Sequence, residues 1–126
     1  MRIASLVSRI LLGLLFVVFG SNGFLHFLPM AMPAGTAGQF MGSLFDSHYL
    51  IFLFSLELIS GLLLLFDRFV PLALVILGPI LVNILLYHGL MDPKGIVPGV
   101  VVTALWFIVF TAHRKYFAGI FTAKAD

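Results

Sequence analysis

The sequence predicts an all-α integral membrane protein, in which four transmembrane helices form a bundle with both termini in the cytoplasm. A short amphipathic interfacial helix is expected in the outer loop between the first two spans. The first observation is composition, since 62% of the 126 residues are hydrophobic and 10% are charged. A soluble domain is typically about 45–50% apolar and about 25% charged. The second observation is that the apolar residues form four long runs, and the third is that the basic residues lie at the ends of those runs.

The four predicted spans cover residues 3–28, 49–66, 71–90 and 96–112, and together they form a single domain over residues 1–126. A helix that crosses the hydrocarbon core needs roughly 17–25 residues. The runs lack the alternation of the strands of a membrane barrel, which are about 10 residues long. The first run has a basic start like a signal peptide. It is longer than a signal core of about 7–15 residues and ends in Asn, His and Pro, so we expect it to be the first helix of the mature protein.

The basic residues predict the orientation of the chain. An even number of spans places both termini on one side, and six of the seven Lys and Arg residues fall on that side, with only Lys94 on the other. Cationic residues in short loops stay in the cytoplasm, so the protein is expected in the bacterial cytoplasmic (inner) membrane. Because these charges lie at helix ends, no nucleic-acid partner is predicted. The expected partners are membrane lipids and either other subunits of a larger complex or further copies of this chain.

The outer loop, residues 29–48, is the longest connection. Its first half, "PMAMPAG", is interrupted by Pro and Gly and cannot form a regular helix. In "TAGQFMGSLF", apolar residues recur at helical spacing, which predicts a short amphipathic helix in the outer interface. This segment would either cover the outer ends of the bundle as a lid or lie in the interface without further function.

Polar residues occur at a similar depth in three of the spans. Asn22, Glu57 and Asn83 lie six to eight residues from the outer ends of their helices, which is roughly 9–12 Å below the outer boundary. His26 and His88 lie above them. Polar and ionisable groups inside a membrane usually face the bundle interior and mark a site. These residues therefore predict a polar pocket in the outer half of the bilayer.

The faces of the helices assign further residues. Asn22 and His26 share one side of the first helix because they are four residues apart. Small residues on the opposite side and in the second span predict close helix packing: Gly13, Gly20, Gly23 and Gly61. In the third span Asn83 and Tyr87 lie on one stripe. Trp106 of the fourth span serves either as a pocket wall or in packing.

Glu57 decides the chemistry of the predicted pocket. No Lys or Arg lies at its level, and an unpaired carboxylate at that depth is costly. We expect a protonated carboxyl that is hydrogen-bonded to Asn22, Asn83 or a histidine and acts as proton donor or acceptor. The alternative is an interhelical hydrogen bond that only fixes the bundle, which contributes about 1 kcal/mol or less.

The cofactor most compatible with these residues is a quinone. The chain has no cysteine, which removes iron–sulfur clusters, disulfide exchange and thiolate metal sites built from this chain alone. His26 or His88 offers a ligand for haem or for the magnesium of a chlorophyll. Histidines so near the interface are more often solvated, and no metal site is predicted.

Several segments resemble the DoxX family of small bacterial membrane proteins. They are "LLGLLFVVFGSNGFLHF" in the first span, "LELISGLLLLFDRFVPLAL" with Glu57, Gly61 and Arg68, and "NILLYHGLMDP" at the end of the third span. The resemblance implies a four-helix bundle in the cytoplasmic membrane. It also implies a link to thiosulfate:quinone oxidoreductase or to membrane complexes that handle oxidative stress.

Three functions remain open. The first is a subunit associated with a quinone-linked redox complex, with Glu57 as the proton-transferring group. The second is a non-catalytic accessory subunit of a larger respiratory or photosynthetic complex, which would dock through its glycine face. The third, a small transporter of protons or weak acids, ranks last because no matched pair of broken helices is visible.

Overall fold

The structure is a computed structural model that describes residues 2–27 and 32–126, and within these residues the regular secondary structure is helical throughout. Five α-helices follow one another: α1 (Arg2–Leu25), α2 (Gly35–Asp46), α3 (Tyr49–Leu65), α4 (Val70–Leu90) and α5 (Ile96–His113). Short 3₁₀ turns at Pro93–Gly95 and Arg114–Phe117 flank α5. Among the described residues, α1, α4 and α5 are long and apolar enough to cross a membrane. The pair formed by α2 and α3 makes a fourth span only if its 86° bend is part of one crossing.

The first helix ends earlier than the sequence predicted. It stops at Leu25, because His26 adopts the left-handed backbone conformation, with a φ of 53°. The amide of His26 still donates to the carbonyl of Asn22, at 2.9 Å, and closes the last turn. No glycine or proline immediately precedes this point to signal the end. The expected extension to residue 28 is therefore wrong by three residues, and residue 28 itself lies outside the described part of the chain.

The turn between α3 and α4 reverses the chain within four residues. Asp67 has a φ of 54°, a conformation that Asp adopts more readily than most residues. The amide of Arg68 donates to the carbonyl of Leu63 at 3.0 Å, and that of Asp67 to Leu64 at 3.4 Å. This pattern is a Schellman motif, which satisfies carbonyls left open at a helix end. The predicted short turn therefore has a defined geometry.

Arg9 of α1 also binds this end of α3. Its guanidinium donates to the carbonyl oxygens of Leu64 and, at 3.4 Å, of Leu65. Its Nε lies 3.8 Å from Oδ1 of Asp67. The side chain of Arg9 is 12% exposed. The sequence predicts only that Arg9 is one of the charges that orient the chain, whereas in the structure it joins the first half of α1 to the end of α3.

The predicted amphipathic segment is helical, as α2. It runs across one end of the molecule, with Ala37 buried, and contacts α3. His48, with a φ of 64°, lies at the bend between α2 and α3. The position of α2 relative to a lipid interface stays a prediction.

The long helices pack around a common apolar core. α1 lies against α3 and α5, and α4 lies against the same two helices. The fully or almost fully buried side chains from all four are Leu12, Phe16, Leu64, Leu74, Leu77 and Val109. This arrangement puts one side of α3, which carries Glu57, next to α1.

Candidate functional site

The close approach of α1 and α3 is made possible by glycines on both helices. A Cβ atom on Gly20 would lie 2.8 Å from the backbone nitrogen of Leu58, and one on Gly61 would lie 2.8 Å from the carbonyl oxygen of Gly13. A Cβ on Gly23 would overlap the ring of Phe54. The four glycines assigned to helix packing therefore all lie where α1 meets α3. The two helices are so close at these glycines that no side chain would fit. This contact fixes the position of Glu57.

Glu57 lies on the side of α3 that borders this contact. It follows Phe54 by three residues and precedes Gly61 by four, so all three share one face of the helix. The residue is half-buried. Across residues 2–27 and 32–126, its carboxyl group makes no hydrogen bond and no ion pair. The side-chain partners expected from the sequence, Asn22 and Asn83, do not bind it.

Ser60 is a second polar group on this part of α3, which sequence analysis missed. It lies one turn after Glu57 and is 0% exposed. Its hydroxyl has no hydrogen-bond partner among the described residues. Buried hydroxyls in proteins are normally satisfied, so Ser60 is an unpaired polar group in the interior beside Glu57, and its full burial keeps it out of reach of a ligand. The spacing of three residues from Glu57 was the signal that could have identified it.

Asn22 and His26 do not share a helical face. Asn22 is 6% exposed, on α1, where it has an interaction partner. His26 lies beyond the helix end and is exposed. The prediction that these two residues line one pocket depended on a regular helix through residue 28, and it is wrong for that reason.

Asn83 is exposed on the outer surface of α4. Its Nδ2 donates to the carbonyl of Pro79, one turn earlier, at 2.9 Å. Pro79 is exposed as well. The side chain oxygen of Asn83 accepts no hydrogen bond from the described residues. The predicted stripe therefore exists on the helix, but Asn83 does not reach the interior beside Glu57.

Tyr87 and His88 form a contact at the end of α4 instead of a ligand pocket. The ring of Tyr87 lies 5.8 Å from that of Phe40 in α2 and 4.9 Å from the imidazole of His88. Nδ1 of His88 donates to the carbonyl of Asp92 at 3.0 Å. The imidazole also packs against Gly95, where a Cβ would clash with it. These contacts hold the α4–α5 turn and α2 together.

Trp106 packs between α5 and α4. Its indole nitrogen donates to the carbonyl of Leu74 at 3.0 Å, and its ring stacks on Phe110 at 5.2 Å. Of the two roles left open by the sequence, the contacts match packing. Within the described residues, no group of three or more His, Asp or Glu side chains has the geometry of a metal site.

The observed site is therefore smaller than the predicted one. The polar groups that the structure places together at this candidate site are Glu57 and Ser60 of α3, while Asn83 and the two histidines lie elsewhere. Comparison with family models, with curated proteins and with solved structures found no match for this chain. The resemblance to the DoxX family stays a prediction.

Proposed function

We propose that the chain is a small subunit of the bacterial cytoplasmic membrane, a four-helix bundle of the DoxX type with both termini inside, that serves a quinone-linked redox complex. The apolar helices and the one-sided distribution of basic residues support a multi-pass membrane protein. The observation that carries the functional part is the carboxyl of Glu57, which borders the α1–α3 contact without a partner among the described residues.

The polar groups agree with a quinone site at Glu57 but not at the other positions predicted to bind the head group. Glu57 can exchange a proton with a quinone oxygen. The hydroxyl of Ser60 is fully buried and does not reach a ligand, and the further donors expected from the sequence, Asn83 and His26, do not lie beside Glu57. We therefore assign the proton exchange to Glu57 alone. Electrons would come from a partner chain.

A non-catalytic accessory subunit is the second candidate, and Asn83 is the observation that favours it. An exposed amide at hydrocarbon depth is unfavourable unless a neighbouring helix hydrogen-bonds to it. Asn83 would then dock on another subunit. The glycines that first suggested a docking face are already used inside the chain, between α1 and α3.

Replacement of the carboxyl separates the two functions. Glu57→Gln keeps the shape of the side chain and removes its exchangeable acid, and Asp46→Asn makes the same change at an exposed site at the end of α2. In membranes from the native host, we expect both variants to assemble and only Glu57→Gln to lose reduction of a short-chain ubiquinone analogue. Unchanged reduction in Glu57→Gln would reject the redox role. Loss of assembly in Asn83→Leu, with normal assembly of Glu57→Gln, would favour the accessory role.

A further inference from the structure

A basic cleft lies at the end of the molecule that carries the α3–α4 turn. It has a volume of about 660 Å³ and opens between the beginning of α1 and the end of α5. Arg2 and Arg9 line it from α1, and His113 and Arg114 line it from the end of α5. Residues more than 100 positions apart in the chain therefore contribute to a single site, which the sequence analysis did not identify.

The charges around the cleft favour an anion. The three arginines face one acidic side chain, Asp67, which is 66% exposed and lies 3.8 Å from Nε of Arg9. The lining thus keeps a net positive charge. The first turn of α1, which begins at Arg2, contains no acidic residue. Its unbonded amide groups add to the positive potential at this place.

His113 adds a further donor to the lining. Its Nδ1 donates to the carbonyl of Val109 at 2.9 Å, which leaves Nε2 as the free ring nitrogen. In the doubly protonated imidazole, Nε2 is a donor as well. Guanidinium groups match the geometry of phosphate oxygens. The cleft therefore combines several of the donors that recognise a phosphate group.

Apolar side chains continue from the cleft along α1. Leu6 lines the cleft itself, and Ile3 and Ile10 are exposed beside it on the same helix. A ligand with a charged head and an apolar tail would contact both parts. The orientation predicted from the basic residues puts this end at the cytoplasmic leaflet, where anionic lipids attract such clusters.

We propose that this cleft binds a phosphate group, supplied by the head group of an anionic phospholipid. Arg2, Arg114 and His113 contact the phosphate, and Leu6 contacts the start of an acyl chain. Arg9 contributes charge, while its guanidinium also holds the end of α3. This binding does not depend on Glu57 or on a quinone.

The test compares two arginines at the same end of the molecule. Arg114 lines the cleft, whereas Arg68 is exposed in the α3–α4 turn and does not line it. Native mass spectrometry of the full chain in detergent would measure binding of dioleoylphosphatidylglycerol, dioleoylphosphatidylcholine and inorganic phosphate. One arginine contributes about 1 kcal/mol to attraction for anionic lipid, or about fivefold in affinity. We expect Arg114→Gln to weaken phosphatidylglycerol binding about fivefold, and Arg68→Gln to leave it unchanged.

The remaining outcomes are also decisive. Equal weakening by Arg114→Gln and Arg68→Gln would show general attraction to a basic end and would overturn the proposal, as would binding of phosphatidylcholine as tight as that of phosphatidylglycerol to the wild type. Binding of inorganic phosphate with the same dependence on Arg114 would support the phosphate site and assign it to a soluble ligand. Arg2→Gln supplies a second variant of the cleft if Arg114→Gln fails to fold.

Discussion

Alanine at Gly20 tests the close approach of α1 and α3 directly. The added methyl group would lie 2.8 Å from the backbone nitrogen of Leu58 and 3.0 Å from its Cα atom. Backbone atoms cannot rotate away, so the two helices must separate. Overpacking of this kind costs about 1–3 kcal/mol, whereas alanine in a helix gains about 1 kcal/mol over glycine. We therefore expect a net loss of up to about 2 kcal/mol in the free energy of unfolding.

Gly89 of α4 provides the matched control for this substitution. A Cβ atom on Gly89 meets no heavy atom within 4 Å, so Gly89→Ala shows the effect of helix propensity without overpacking. Unfolding of each variant by sodium dodecyl sulfate in mixed micelles can be followed by the fluorescence of Trp106, the single tryptophan of the chain. Gly20→Ala should be less stable than Gly89→Ala by about 1–3 kcal/mol. Equal stability of the two variants would refute the close packing of α1 on α3.

Three further predictions concern the end of α3, the contact between α4 and α5, and the topology. Arg9→Met removes charged hydrogen bonds to the end of α3 and should lower the free energy of unfolding by about 1.5–3 kcal/mol. Asp67→Asn should lower it by less than about 1 kcal/mol, because that carboxylate is largely exposed. A larger loss in Asp67→Asn than in Arg9→Met would contradict this assignment. Trp106→Phe should lose about 0.5–1.5 kcal/mol with the indole bond to α4, and an unchanged denaturation midpoint would argue against that bond. The chain has no cysteine, so a single introduced cysteine reports the side of the membrane on which it lies. Lys94→Cys should react with an impermeant maleimide in intact cells, and Lys124→Cys should react only after permeabilisation. The opposite pattern would show that the topology is the reverse of the predicted one.

The helices could be predicted because their signals are local. Long, mostly apolar runs gave the bounds of α3 and α4 to within one residue, and helical spacing identified α2. The end of α1 could not be predicted, because His26 terminates it with no glycine or proline at the two positions before it. That residue adopts a left-handed conformation, which few side chains favour.

The site was harder to predict because it depends on which faces of neighbouring helices meet. In a membrane protein both the buried and the outward sides of a helix are apolar, so periodicity did not show that Asn83 points outward. Equal depth along three helices does not bring their side chains together, since Asn83 is exposed and Glu57 borders α1. The sequence does not indicate the environments of Ser60 and Arg9, because these depend on burial and on carbonyls distant in sequence.

The proposed redox function requires that the carboxyl of Glu57 contact a quinone beside the α1–α3 contact. The most direct measurement is the quinone content of the protein purified from its native membrane in mild detergent, for the wild type and for Glu57→Gln and Asp46→Asn. We expect about one quinone per chain in the wild type and in Asp46→Asn, and a clear loss of quinone in Glu57→Gln with the fold retained. A folded wild-type protein without quinone, or equal quinone in all three proteins, would contradict it.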